Sequence, residues 1–78
     1  MKRPVYNIET DCDININIQV TTPFIDTENG KHLLPDEICI VANDYDYDLD
    51  EPIETVILLR KKQAINFAIK LLELANEI

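Results

Sequence analysis

From Tyr6 to Val20 the chain alternates. Even positions carry Tyr6, Ile8, Thr10, Cys12, Ile14, Ile16, Ile18 and Val20, while odd positions carry Asn7, Glu9, Asp11, Asp13, Asn15, Asn17 and Gln19. A period of two places the first set on one face of a β-strand and the second in water. One strand of that length would run about 50 Å at ~3.3 Å per residue. A compact chain of this size has a radius of gyration of only about 11–12 Å. The run must therefore break, most naturally near Glu9-Thr10-Asp11, which predicts strands over about 4–9 and 12–20.

Pro23 and Pro35 punctuate the next stretch, with Asn29-Gly30 between them. Asn-Gly marks a tight hairpin because both residues accept a positive φ, and the flanks Phe24-Ile25 and Leu33-Leu34 could form short strand ends or pack as a loop over the core. Gly30 is the only glycine, so the remaining turns must rely on Asp, Asn or Pro chemistry. His32 beside this turn reads as a surface histidine in a loop. Residues 37–42, Glu37-Ile38-Cys39-Ile40-Val41-Ala42, are apolar on both faces, which suits a strand in the middle of a sheet. An acidic run follows, and Pro52 is expected to end it.

Thr55-Val56-Ile57-Leu58-Leu59 is apolar and rich in β-branched residues, which favours a strand. From residue 62 on, Lys62, Asn66, Lys70, Glu73 and Glu77 form a polar stripe at helical spacing. Opposite lie Ala64, Phe67, Ala68, Leu71, Leu72, Ala75 and Ile78, with Ile65 and Ile69 on the shoulder. An amphipathic helix over about 61–77 follows. The rival is one helix from Asp50 onward, capped by Asp50 with Pro52 in its first turn. It would place Leu58 on the polar stripe, so strand then helix is preferred. The sequence thus predicts one α+β domain over residues 1–78, with an antiparallel sheet of about four strands and a C-terminal helix packed on a face.

The 78 residues hold 15 acids and 7 bases, for a net charge of −8, and 46% of them are hydrophobic. That apolar share supports a packed domain rather than disorder. Acidity disfavours direct binding to nucleic acid or to anionic membrane surfaces, both of which begin with Lys and Arg meeting phosphates. No apolar run approaches ~18 residues. The start, Met1-Lys2-Arg3-Pro4-Val5-Tyr6-Asn7, lacks a signal peptide's apolar stretch, so a cytoplasmic address is expected. The charge is uneven: residues 4–59 hold 13 acids against Lys31 alone. Solubility accounts for that imbalance, and so does a surface that meets a cationic partner. Arg60, Lys61 and Lys62 open the helix, where the macrodipole disfavours cations. They would either neutralise nearby aspartates or touch a partner.

Catalytic chemistry is sparse. One histidine and one glycine leave no phosphate-cradling loop, no GxSxG and no HExxH. Cys12 and Cys39 sit in apolar strand patterns and read as small buried hydrophobes, with no metal-binding spacing. A Cys12–His32 dyad is conceivable in arithmetic only. The expected class is non-enzymatic, with no cofactor and no metal.

One constellation stands out: Asp44-Tyr45-Asp46-Tyr47-Asp48-Leu49-Asp50-Glu51. If extended, it sets four aspartates on one side, roughly 6–7 Å apart, and Tyr45, Tyr47 and Leu49 on the other. Three roles compete. Its charges could guard a strand edge against pairing. Alternate aspartates suit the start of a calcium loop, yet the sixth and twelfth positions are Leu49 and Thr55 rather than Gly and Glu. Finally, a negative ridge with tyrosines can imitate a row of phosphates and dock in a cationic groove. Asp44, Asp46, Asp48, Asp50 and Glu51 would supply charge, and Tyr45 and Tyr47 contact.

In size, acidity and lack of catalytic residues, the chain resembles small phage-encoded inhibitors, including anti-CRISPR proteins and DNA mimics. Val56-Ile57-Leu58-Leu59-Arg60, Gln63-Ala64-Ile65 and Leu71-Leu72-Glu73-Leu74-Ala75 look like the strand–helix endings of short phage proteins. The resemblance implies an inhibitor in the host cytoplasm, occupying the nucleic-acid groove of a host defence protein such as a CRISPR effector nuclease. An antitoxin-like or regulatory protein masking a basic partner is the first alternative. A structural phage domain that self-associates is the second, and the broad apolar stripe of the helix allows a homodimer.

Overall fold

The computed structural model describes residues 3–78, so Lys2 of the basic start lies outside the described residues. The fold is α+β. Strands β1 (Val5–Glu9), β2 (Asn15–Thr21), β5 (Glu37–Asp46) and β6 (Glu51–Leu59) form an antiparallel sheet in the order β1-β2-β5-β6. Strands β3 (Phe24–Thr27) and β4 (Gly30–Leu33) form a separate hairpin inserted between β2 and β5. Helix α1 (Lys61–Ala75) closes the chain. No helix among the described residues is long and apolar enough to cross a membrane.

The long alternating run breaks where expected but resumes later than expected. Residues 12–14 leave the strand and join a turn, because the Thr10 hydroxyl donates to the Ile14 carbonyl at 2.9 Å and accepts the Cys12 N–H at 3.3 Å. Asp13 takes a φ of 60°, which Asp tolerates better than most residues. Cys12 is exposed in that turn, contrary to the buried position expected of it, whereas Cys39 on central β5 is buried. Both thiols are free.

The second hairpin also forms, with its turn one step earlier than Asn-Gly suggests. Glu28 and Asn29 occupy the turn, and only Gly30, with φ 109°, takes the positive value. The Thr27 hydroxyl donates to the Gly30 carbonyl at 2.6 Å and the Leu34 N–H to the Pro23 carbonyl at 2.8 Å. His32 lies on β4 and not in a loop. At the base of this hairpin, Arg3 bonds Thr22 at 2.9 Å and Asp36 at 3.1 Å.

Residues 55–59 are strand, as preferred, and β6 starts earlier, at Glu51. Pro52 therefore does not stop the strand. It sits inside β6, which is an edge of the sheet, where a missing N–H removes no ladder bond that a neighbour needs. The helix opens at Arg60, whose N–H donates to the Gln63 side-chain oxygen at 3.1 Å and so finds the partner that helix ends lack.

Register assigns the faces, since directly opposed residues share one. Tyr6 and Ile8, then Ile16 and Ile18, then Ile40 and Ala42, then Ile57 and Thr55 line one face across the four strands. Helix α1 lies on this side: Ile18, Ile38, Ile40 and Leu59 face Ala64, Phe67, Ala68 and Leu71 across a cleft of about 210 Å³. Coverage is slight, for Cys39 at 8% exposure is the one hydrophobic residue buried among those described. Thiol accessibility tests this arrangement. With a disulfide-exchange reagent, Cys12 should react at once and Cys39 only on unfolding. Two equally fast thiols would contradict the placement of β5 in the sheet centre.

Candidate functional site

Folding turns the acidic run back on itself. It does not form the extended row considered from sequence: β5 carries Asp44 to Asp46, residues 47–50 turn, and Glu51 begins β6. Aspartate chemistry makes the reversal, as the shortage of glycine requires. One Asp46 carboxylate oxygen accepts the N–H groups of Asp48 at 3.0 Å and Leu49 at 3.2 Å. Asp50 takes a φ of 54°, the left-handed conformation in which Asp and Asn are enriched. Its carboxylate accepts a hydrogen bond from the Tyr45 hydroxyl, and Asp44 accepts the Tyr45 N–H at 2.7 Å.

The hairpin tip therefore has two unlike sides. Asp44 opposes Ile53 and Asp46 opposes Glu51, so these three carboxylates lie on the isoleucine-bearing face. Tyr45 opposes Pro52 on the other face, and its ring meets that of Tyr47 edge-on, centroids 5.0 Å apart and planes at 64°. Directly opposed like charges such as Asp46 and Glu51 repel, with Cβ atoms roughly 4.5–5.5 Å apart. The N–H groups held by Asp46 offset part of that repulsion. Tyr47 is the most open ring, at 77% exposure. Asp48 is exposed in the turn.

All seven sequence-selected residues thus come together on one tip, but with different duties. Asp46 and Asp50 build the turn, whereas Asp44, Asp48 and Glu51 mainly project charge, and Tyr45 and Tyr47 present an aromatic pair. The two ion pairs among the described residues, Arg3–Asp36 at 3.1 Å and Lys70–Glu73 at 3.3 Å, lie elsewhere. The basic start of the helix does not neutralise the tip. It follows Leu59, eight residues along β6 from Glu51, a span of about 25 Å. Lys61 instead borders a recess with Asp36 and Glu37. Among the described residues no three His, Cys, Asp or Glu side chains gather as a metal-binding group.

Ile8 and Ile57 lie on the helix-facing side of the sheet, yet they are 47% and 41% exposed. The available signal was arithmetic: one helix is too narrow to cover the apolar face of four strands.

The Tyr45 hydroxyl titrates above its ordinary range, first because it donates to the Asp50 carboxylate and second because of partial desolvation. Fold and proton are linked accordingly. The raised value favours the fold below the unfolded tyrosine pKa, and that contribution is lost as pH rises through the higher folded value. Asp50→Asn keeps the left-handed turn while removing the charge. In an ultraviolet titration of the wild type, one of the three tyrosines should ionise above the others. In Asp50→Asn that late step should move down towards them. An unchanged titration would disprove the contact.

Compared with protein-family models, with curated proteins and with solved structures, the chain matches none of them.

Proposed function

We propose that this chain is a non-enzymatic, acidic protein-binding inhibitor whose β5–β6 tip occupies a cationic, nucleic-acid-binding groove on a partner protein. One observation carries the proposal: a single hairpin tip presents the carboxylates of Asp44, Asp46 and Glu51, in no ion pair among the described residues, on one side and two tyrosines in edge-on contact on the other. Carboxylates at strand spacing offer a cationic groove the negative charge it uses to hold phosphates. Tyrosine adds contact area at low entropic cost and stacks on arginine. A tip that already has its turn hydrogen-bonded loses little freedom on docking. Long-range attraction between the acidic domain and a basic groove would also speed encounter. The resemblance to small phage inhibitors makes a host defence nuclease, such as a CRISPR effector, the first partner class to try.

The tagged protein should retain a nucleic-acid-binding protein from bacterial lysate at low salt, and excess duplex DNA or high salt should release it. Asp44→Lys, Asp48→Lys and Glu51→Lys together leave Asp46 and Asp50 in the turn, so the hairpin should still form. This triple variant should lose at least tenfold in affinity for the retained protein. Undiminished binding by the variant, with a circular dichroism spectrum like the wild type's, would overturn the proposal.

A further inference from the structure

One chain exposes 7044 Å² to solvent. A folded monomer of its 9.0 kDa mass would expose about 4,850 Å². The radius of gyration is 16.0 Å, against about 11.5 Å for a compact domain of this length. No described side chain is fully buried, and many large hydrophobic side chains are exposed. Ile8, Ile53 and Ile57 on the sheet are 41–47% exposed, and Phe67 and Leu71 on the helix are 43% and 54% exposed. Phe67 and Leu71 are among the residues that line the cleft between helix and sheet.

We infer that this open sheet face and the inner side of α1 are covered by a second copy of the same chain, in a two-fold homodimer. The area supports that occupant. Burying even half of the surplus of about 2,200 Å² on each of two chains would remove about 2,200 Å² in all, within the range of obligate homodimers. Shape supports it too. Each copy offers one apolar helix and one flat apolar face too wide for that helix. A two-fold axis can lay the helix of each copy beside the other's on the open part of the sheet, making the same contact twice. Charge completes the case. Tyr6, Ile8, Ile16, Ile18, Ile40 and Ala42 form an uncharged field between Asp44 at one end and the recess bordered by Asp36, Glu37 and Lys61 at the other. Two copies of a chain with net charge −8 can therefore meet there while their acidic tips stay outside. The inference stands whether or not the tips bind a partner.

Sedimentation equilibrium and urea unfolding of the untagged wild-type protein test it. The dimer predicts a mass twice 9.0 kDa from low to high micromolar concentration. It also predicts an unfolding midpoint that rises with protein concentration, because separating the chains is part of unfolding. Leu71→Asp should shift the mass to that of one chain or abolish folding at concentrations where the wild type is folded. A folded species of 9.0 kDa with a concentration-independent midpoint would overturn the inference, as would an assembly larger than two chains. If the isolated protein is a stable monomer and only a different protein covers this face, the second copy is likewise excluded.

Discussion

Pairing of β5 on both sides is the interaction on which the remaining structure depends. It bonds β2 from Glu37 to Asn43 and β6 from Ile38 to Asp46. Both of its faces can be apolar because its edges are fully occupied and its backbone needs no water. Cys39, which lies in the stretch paired on both sides, is the one hydrophobic residue buried among those described. Beyond Asn43 only β6 continues alongside, so the last part of β5 runs out with one neighbour and becomes the stem of the acidic tip. The same ladder that builds the sheet centre thus carries the candidate site away from it.

The two ends of the β5–β6 hairpin have opposite chemistry. At one end Leu59 leads into the helix and the apolar cleft; at the other, carboxylates surround a turn that uses aspartate where glycine is lacking. Separation by about 25 Å keeps the helix cations from cancelling the tip charge. A dimer through the apolar end would carry two acidic tips, and two tips on one rigid body bind a groove with two suitable sites far more tightly than one.

Alternation along residues 6–20, the double-sided apolar run at 37–42 and the polar stripe from Lys62 made the strands and the helix legible. Boundaries slipped where side chains intervene locally. Thr10 and Asp13 convert residues 12–14 into a turn, and Pro52 is tolerated because β6 has no outer neighbour. The acidic run was visible as composition but not as geometry. Only the pairing of Asp46 with Glu51 shows that it reverses, which places Glu51 beside Asp46 and brings the Asp50 carboxylate back to the Tyr45 hydroxyl.

The sequence by itself determined the main-sheet strands, the C-terminal helix, the α+β class and the location of the acidic residues, since periodicity and charge are properties of neighbours along the chain. Tertiary structure decided what those elements leave uncovered. The exposure of Ile8, Ile57 and Phe67 depends on strand order, on the angle at which the helix leaves Leu59 and on the detachment of the β3–β4 hairpin, none of which is encoded in a local repeat. Burial is a balance of areas over the whole chain, and here one helix has too little surface to cover four strands.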